Sequence, residues 1–373
     1  MKIKKILIIP IEQLVPSNEF FLRRLARFVK YGFKLPLFYS GELQMYGDIP
    51  KILGKEQTFI LGKYNHRFFS KHIPEQCAYP SCYGTPEGTV VTQRGLDNVL
   101  SQVDAILISI SANKKIIETV VKKARAKDIP IAMIDFYDHE KLYGASEKEK
   151  RKNMFRGFLQ KKDFDLYFKK DLHLGYKTKK VLPLAPVPIR PESYRFETIP
   201  KDKTIFYSGR SRPDLCQPDR IETTDLIGKN FSNTLILKLE SQDSFMNVKE
   251  YWYNLSRAQM ALSPSGRVWD SFRHCEVGLA PLTCLIAPRP YVETVKPYLR
   301  DGKNAILYDT KLREDKKYHL VNPSALIEKI RYYLDHPNEC QNLAQAWQTN
   351  VLEDHTIFAR SKYIIESMEK VFS

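Results

Sequence analysis

The chain has 373 residues, 43% of them hydrophobic and 27% charged, with a formal net charge of +16. That length predicts two domains with ample core, and no run nears the ~20 apolar residues that cross a bilayer. The six cysteines are scattered, without Cys-x-x-Cys or zinc-spaced histidines, which argues for free thiols in a reducing cytoplasm and against a structural metal. The positive charge calls for a partner or a location that tolerates it, whether nucleic acid, an anionic membrane surface or phosphorylated small molecules, and part of it is a solvated lysine-rich surface.

The N-terminal "KILIIPI" (5–11) is a continuous apolar run of buried parallel-strand type. It is too short, and lacks the small-residue cleavage site, for a signal peptide. An amphipathic helix, "NEFFLRRLARFVKYG" (18–32), and a strand, "KLPLFYS" (34–40), are predicted next. After a less readable stretch, "DAILISI" (104–110), the helix 113–128 and "IPIAMIDFY" (129–137) form a βαβ unit. A polar helix from Ser146 and strands "DLYFKK" and "KVLPLA" close the first half. Five prolines between Pro183 and Asp202 mark a connector. Alternation then restarts with strands at 204–209, 233–239, 258–264, 282–288 and 304–309, and the chain finishes in three helices. The expected architecture is α/β: two Rossmann-like, doubly wound domains facing a cleft, with C-terminal helices. The boundaries are a first domain at 1–185, a proline-rich linker at 186–203, a second domain at 204–350, and a last helix, 351–373, able to cross back to the first domain.

The first βα turn, "IPIEQLVPSN", contains no glycine, and no Walker-type loop occurs, so simple dinucleotide and ATP readings lose their basis. Two basic loops stand instead at predicted strand ends in the second half. "YSGRSRPDLCQPDR" offers Gly209 for close backbone approach to an anion and Arg210 and Arg212 for charge. "SPSGRVWDSFRHCE" breaks a strand with Ser265, Gly266 and Arg267, then opens a helix that Asp270 or Ser271 can cap. The free N–H groups of such a helix suit a diphosphate. Arg273 and Glu276, three apart, share one face near that end, the first to hold phosphate and the second to accept from ribose hydroxyls, unless they merely pair with each other. In the first half, "IDFYDHEKLYG" places Asp135, Asp138, His139 and Glu140 after a strand, where Asp138 or His139 could take a proton from a hydroxyl; Glu12 is a second candidate base. The Asp163–Asp165 "DFD" has metal-binding form but sits at a strand entrance, so no metal is expected. The helix 18–32 pairs an aromatic face with Arg23, Arg24, Arg27 and Lys30; it packs on the sheet, with its basic side open to an anionic membrane.

From Thr204 onward, "LSPSGRVWDSFRHCEVGLAPLTCLIAP", "PYLRDGKNAILYDT" and "LIEKIRYYLDHPNE" resemble the C-terminal domain of GT-B glycosyltransferases of group 1, nearest those related to the spore protein CgeB. The Ser-x-x-Arg-x-x-Glu part is similar to exostosin-type transferases. The resemblance implies a nucleotide-sugar donor with Glu276 at its ribose and Arg273, Gly266 and Arg267 near its diphosphate. It further implies a saccharide or lipid-linked acceptor and no cofactor. Where many relatives carry a Glu-x7-Glu pair, Val268 stands in place of the first acid, with Asp270 nearby as a substitute. The place expected is the cytoplasm or the inner face of the membrane. Two rivals stand beside a transferase: an inactive nucleotide-sugar-binding protein of the same fold, and a nucleic-acid-binding protein, for which no recognisable module is present.

Overall fold

The computed structural model describes residues 1–10, 43–61, 88–110, 112, 114–136, 164–191, 198–214, 216–239, 246 and 248–373. The expected helix 18–32, the strand 34–40, the helix from Ser146, and Glu12, Asp138, His139 and Glu140 lie outside them.

Seven parallel strands build the first sheet. They are β1 (Ile6–Ile9), β2 (Thr58–Leu61), β3 (Thr89–Val91), β4 (Ala105–Ser109), β5 (Ile131–Asp135), β6 (Leu166–Lys169) and β7 (Val181–Pro183), in the order β3-β2-β1-β4-β5-β6-β7. The register is in step: Ile6 faces Thr58 on one side and Ala105 on the other. The runs ILII, AILIS and IAMID are buried throughout, because a parallel sheet is covered on both faces and has no solvent side on which to alternate. Leu7 and Ile9 enter one core with Ile106, Ile108 and Val120, while Ile6 and Ile8 enter the other with Leu107 and Ile134. Helices α1 (Leu43–Tyr46), α2 (Ile49–Leu53), α3 (Leu96–Leu100) and α4 (Lys114–Arg125) belong to this domain. β2 and β3 lie in the stretch that carries no readable pattern, and edge strand β3 exposes Thr89 and Val90.

The second sheet is also parallel: β8 (Lys203–Arg210), β9 (Leu235–Leu239), β10 (Ala258–Leu262), β11 (Cys284–Pro288) and β12 (Ile306–Tyr308), in the order β12-β11-β10-β8-β9. Helices α5 (Pro218–Asn230), α6 (Val248–Arg257), α7 (Phe272–Leu279), α8 (Pro323–Asp335) and α9 (Pro337–Asp354) cover it, and the antiparallel pair β13 (Thr310–Leu312) and β14 (Tyr318–Leu320) lies beside it. Alternate residues of β11 divide between the two cores, Leu285 and Ala287 to one, Cys284 and Ile286 to the other. Cys216, Cys275, Cys284 and Cys340 are buried free thiols.

The last helix, α10 (Ile357–Phe372), places Ile357, Ile364, Ile365 and Met368 in the same core as Ile6, Ile8 and Ile134 of the first sheet. The connector runs beside the entry to this helix: Ile189 N donates to His355 O at 3.0 Å and Ile357 N to Ile189 O at 2.9 Å. Segments that leave the two sheets also bond to each other, Glu293 N donating to Leu172 O at 2.6 Å and Val295 N to Ala185 O at 2.7 Å. Among the described residues, no helix is long and apolar enough to cross a membrane.

Candidate functional site

In an open parallel sheet the strand order reverses at one point, and the loops leaving the strands on either side splay apart to leave a crevice at their carboxyl ends. In the second sheet that point lies between β8 and β10, since β9 lies beyond β8 whereas β11 and β12 lie beyond β10. The two basic loops, 209–214 and 263–271, are the ones that leave these strands.

The second loop is fixed from below. Trp269 is fully buried and its Nε1 donates to Pro288 O at 2.9 Å. His274, on the first turn of α7, lies 2.9 Å from Ser263 Oγ through Nδ1 and 3.1 Å from Trp269 O through Nε2. A carbonyl can only accept, so Nε2 carries the hydrogen and Nδ1 accepts from the serine hydroxyl. Burial pushes the His274 pKa down to about 3, so this ring is a neutral strut and not a proton carrier.

Over that base stands Arg273. Its Nη2 donates to Ser208 O at 2.5 Å and its guanidinium lies 5.1 Å from the Tyr207 ring centroid, while Nε has no partner among the described residues. Burial opposes its charge, but Tyr251, Tyr207 and Glu276 outweigh that and raise its pKa above the ordinary value. A Cβ on Gly209 would lie 2.8 Å from Arg273 Nη2 and 2.9 Å from the Tyr207 hydroxyl, so glycine at 209 leaves the space in which the guanidinium tip rests against β8. Glu276, one turn further along α7, does not pair with Arg273. Its Oε2 accepts from Tyr251 OH at 2.8 Å, and among the described residues nothing donates to Oε1. Burial raises the Glu276 pKa, against the pull of Arg273 and the Tyr251 hydroxyl.

Residues 228–366 match the family model described as glycosyl transferase-like. No curated protein matches the sequence. Of the solved structures, Anabaena HepE in complex with UDP has a TM-score of 0.54 at 11% identity, over 98% of this chain and 100% of that one. HepE in complex with UDP-glucose has a TM-score of 0.51 at 12% identity, over 98% and 99%. Sucrose-phosphate synthase from Thermosynechococcus elongatus has a TM-score of 0.51 at 11% identity, over 99% of each chain. The fold is GT-B. At such identities the likeness is one of fold, and residue roles rest on the geometry of this chain.

Within this GT-B fold the predicted residues separate into groups. Gly209, Ser265, Gly266, Arg273 and Glu276 gather around the switch point. Arg210 is half-buried at the end of β8, and its carbonyl O accepts from Arg220. Arg212 and Arg267 are exposed; the first forms a two-point pair with Asp214 at 2.8 and 3.0 Å. Ser271 occupies the N-cap position of α7 but makes no capping hydrogen bond, and neither does Asp270. Asp270 turns away from the loops. Its Oδ1 accepts from Val187 N of the connector at 3.3 Å, and its own N donates to Asp171 Oδ1 at 3.4 Å. Burial pushes its pKa up to about 7, opposed by Lys170 and reinforced by Asp171. Val268 is 5% exposed, so the position that bears an acid in many relatives is an apolar anchor here. Asp135 is buried against Lys169 Nζ at 3.4 Å and the Tyr167 hydroxyl at 2.5 Å. Asp165 pairs with Arg125 at 2.9 Å and accepts from Ile131 N at 2.8 Å, which is the work of a strand entrance.

The sequence reading missed the first turn of α5. Gln217 N donates to Gly266 O at 2.8 Å and its side chain to Arg267 O, while its Oε1 accepts from Tyr318 N at 3.0 Å. Asp219 is fully buried; its Oδ2 accepts from Tyr308 OH at 2.9 Å and from Ser265 N at 3.3 Å. The signal was a polar "QPDR" at a helix start, which reads equally well as an ordinary cap. Glu222 and His319 continue the attachment, with 2.7 Å between Glu222 Oε1 and His319 Nδ1 and 3.0 Å between His319 Nε2 and Asp315 Oδ2. Burial tends to lower the His319 pKa, but the two carboxylates outweigh it and hold it above the usual 6.5. A raised folded value stabilises most fully below the unfolded pKa, and that stabilisation is lost as pH rises through the folded one. The unfolding midpoint is therefore expected to fall from pH 6 upward through the neutral range by an increment absent in His319→Gln, as measured by thermal unfolding across pH.

Proposed function

We propose that the protein is a glycosyltransferase that moves a sugar from a nucleotide-sugar to a hydroxyl of a glycan or lipid-linked saccharide. The observation that carries this reading is the convergence of both basic loops and Arg273 on the switch point of the second sheet. In it the diphosphate lies against loops 209–214 and 263–267 and the start of α7, and Glu276 Oε1 accepts from the ribose. The acceptor oxygen bonds to the anomeric carbon as the bond from that carbon to the diphosphate breaks, and the acceptor proton passes to a base after β5, Asp138 or His139. Charge on the leaving diphosphate is neutralised by Arg273, Arg210 and the helix end, so no metal is required.

Charge distribution supports an acceptor side that meets anions. Residues 1–200 hold 35 of the 59 Lys and Arg but only 21 of the 43 Asp and Glu. A phosphate-bearing acceptor, or one displayed on the anionic inner face of the membrane, fits that excess. A non-catalytic nucleotide-sugar-binding protein is the second reading, favoured by the apolar Val268.

Binding of UDP or UDP-glucose, the ligands in the HepE complexes, is expected to raise the unfolding temperature. Glu276→Ala is expected to weaken that binding roughly tenfold to a hundredfold through lost ribose hydrogen bonds, with unchanged circular dichroism. No thermal shift with any nucleoside diphosphate or its sugars would refute the donor site. Binding without either transfer or donor hydrolysis would favour the second reading.

A further inference from the structure

Arg220, the third residue of α5, is 8% exposed and points into the protein beneath the two loops. All three of its guanidinium nitrogens are used by backbone carbonyls: Nη1 donates to Arg210 O at 2.8 Å, Nε to Ser265 O at 2.7 Å and Nη2 to Pro264 O at 3.4 Å. The first of these carbonyls ends β8 and the other two follow β10, so one planar side chain spans the crevice between strands separated by more than forty residues. Arg210 O also accepts from the Tyr207 hydroxyl, at 3.4 Å, and a carbonyl buried at a strand end without a donor is costly. A buried guanidinium is equally costly unless its hydrogens are satisfied, and here the two needs cancel. Alongside it, Asp219 holds Ser265 N at 3.3 Å, so adjacent residues of one helical turn grip both backbone polar groups of Ser265.

We propose that Arg220 is a positioning residue that sets the separation of the two loops, and through it the affinity for the donor diphosphate, without itself touching the donor. The second half of this statement rests on the donor site proposed above. A lysine cannot replace it, because a single ammonium on a flexible stem cannot present donors to both strand ends at once. The inward charge also adds positive potential under the loops at no cost in accessible side chains.

The test uses Arg220→Lys and Arg220→Gln in the full chain, with Ile227→Val, a buried change on the same helix, as a control for general loosening. Amide hydrogen exchange is expected to quicken about tenfold or more in 209–214 and 263–267 together, and in neither loop of the control. The KM for the donor and the Kd for UDP are expected to rise roughly ten- to a hundredfold, while the acceptor KM stays constant. Weaker UDP binding with unchanged exchange would make Arg220 a ligand of the donor and overturn the proposal. So would quickening in only one loop, uniform quickening across the domain, or loosened loops with unchanged UDP affinity. If the unmodified protein bound no nucleoside diphosphate while both loops still loosened together in the variants, the donor reading would fall and the brace would stand.

Discussion

Arg273→Ala is expected to lower kcat/KM for the nucleotide-sugar by about two to three orders of magnitude. Developing charge on a leaving diphosphate is stabilised most by donors that are already in place, and this arginine is held by Ser208 O at 2.5 Å and by the Tyr207 ring. Tyr251 and Glu276 keep it charged despite burial. Gly209→Ala disturbs the same contact by another route, since its Cβ would stand 2.8 Å from Nη2 and displace the guanidinium tip. A smaller loss is expected there, because a side-chain tip can shift. Steady-state kinetics with varied donor measures both; kinetics unchanged in Arg273→Ala would remove this residue from the reaction.

Gly278→Ala should destabilise the second domain by about 1–3 kcal/mol, although alanine favours a helix over glycine by about 1 kcal/mol. The added Cβ would fall 2.5 Å from Val351 Cγ2, 2.9 Å from Val351 Cβ and 3.2 Å from Trp347 Cδ1. Both neighbours are locked: Val351 is fully buried, and Trp347 donates through Nε1 to His274 O at 2.7 Å. Glycine at this point lets α9 lie close against α7, the helix that carries Arg273 and Glu276. Chemical denaturation reads the loss, and a stability equal to or above that of the parent would show that the helices separate freely.

The parallel strands were legible because burial on both faces writes unbroken apolar runs; AILIS, IAMID and CLIAP declare themselves. Strands β2 and β3 were not, being short, near an edge and flanked by polar sequence. For the candidate site, glycine and arginine at predicted strand ends marked the two loops that leave β8 and β10 on either side of the switch point. Their partners were illegible because contact across a parallel sheet joins residues far apart in the chain. Nothing in "QPDR" discloses that Arg220 meets Ser265, and nothing near Asp270 discloses that its carboxylate faces Val187. A carboxylate beside a predicted helix start reads as a cap, and only the path of the connector shows it serving the junction instead.

The placement of α10 bears on how the chain is made. Ile364, Ile365 and Met368 complete a face of the first sheet, yet they follow the whole second domain in sequence. A nascent first domain therefore displays an unfilled apolar face while the second is synthesised, a wait of roughly ten to thirty seconds at ordinary translation rates. Vectorial synthesis cannot finish the domains in order, and a holding chaperone on the ribosome would have its natural client in the half that was made first.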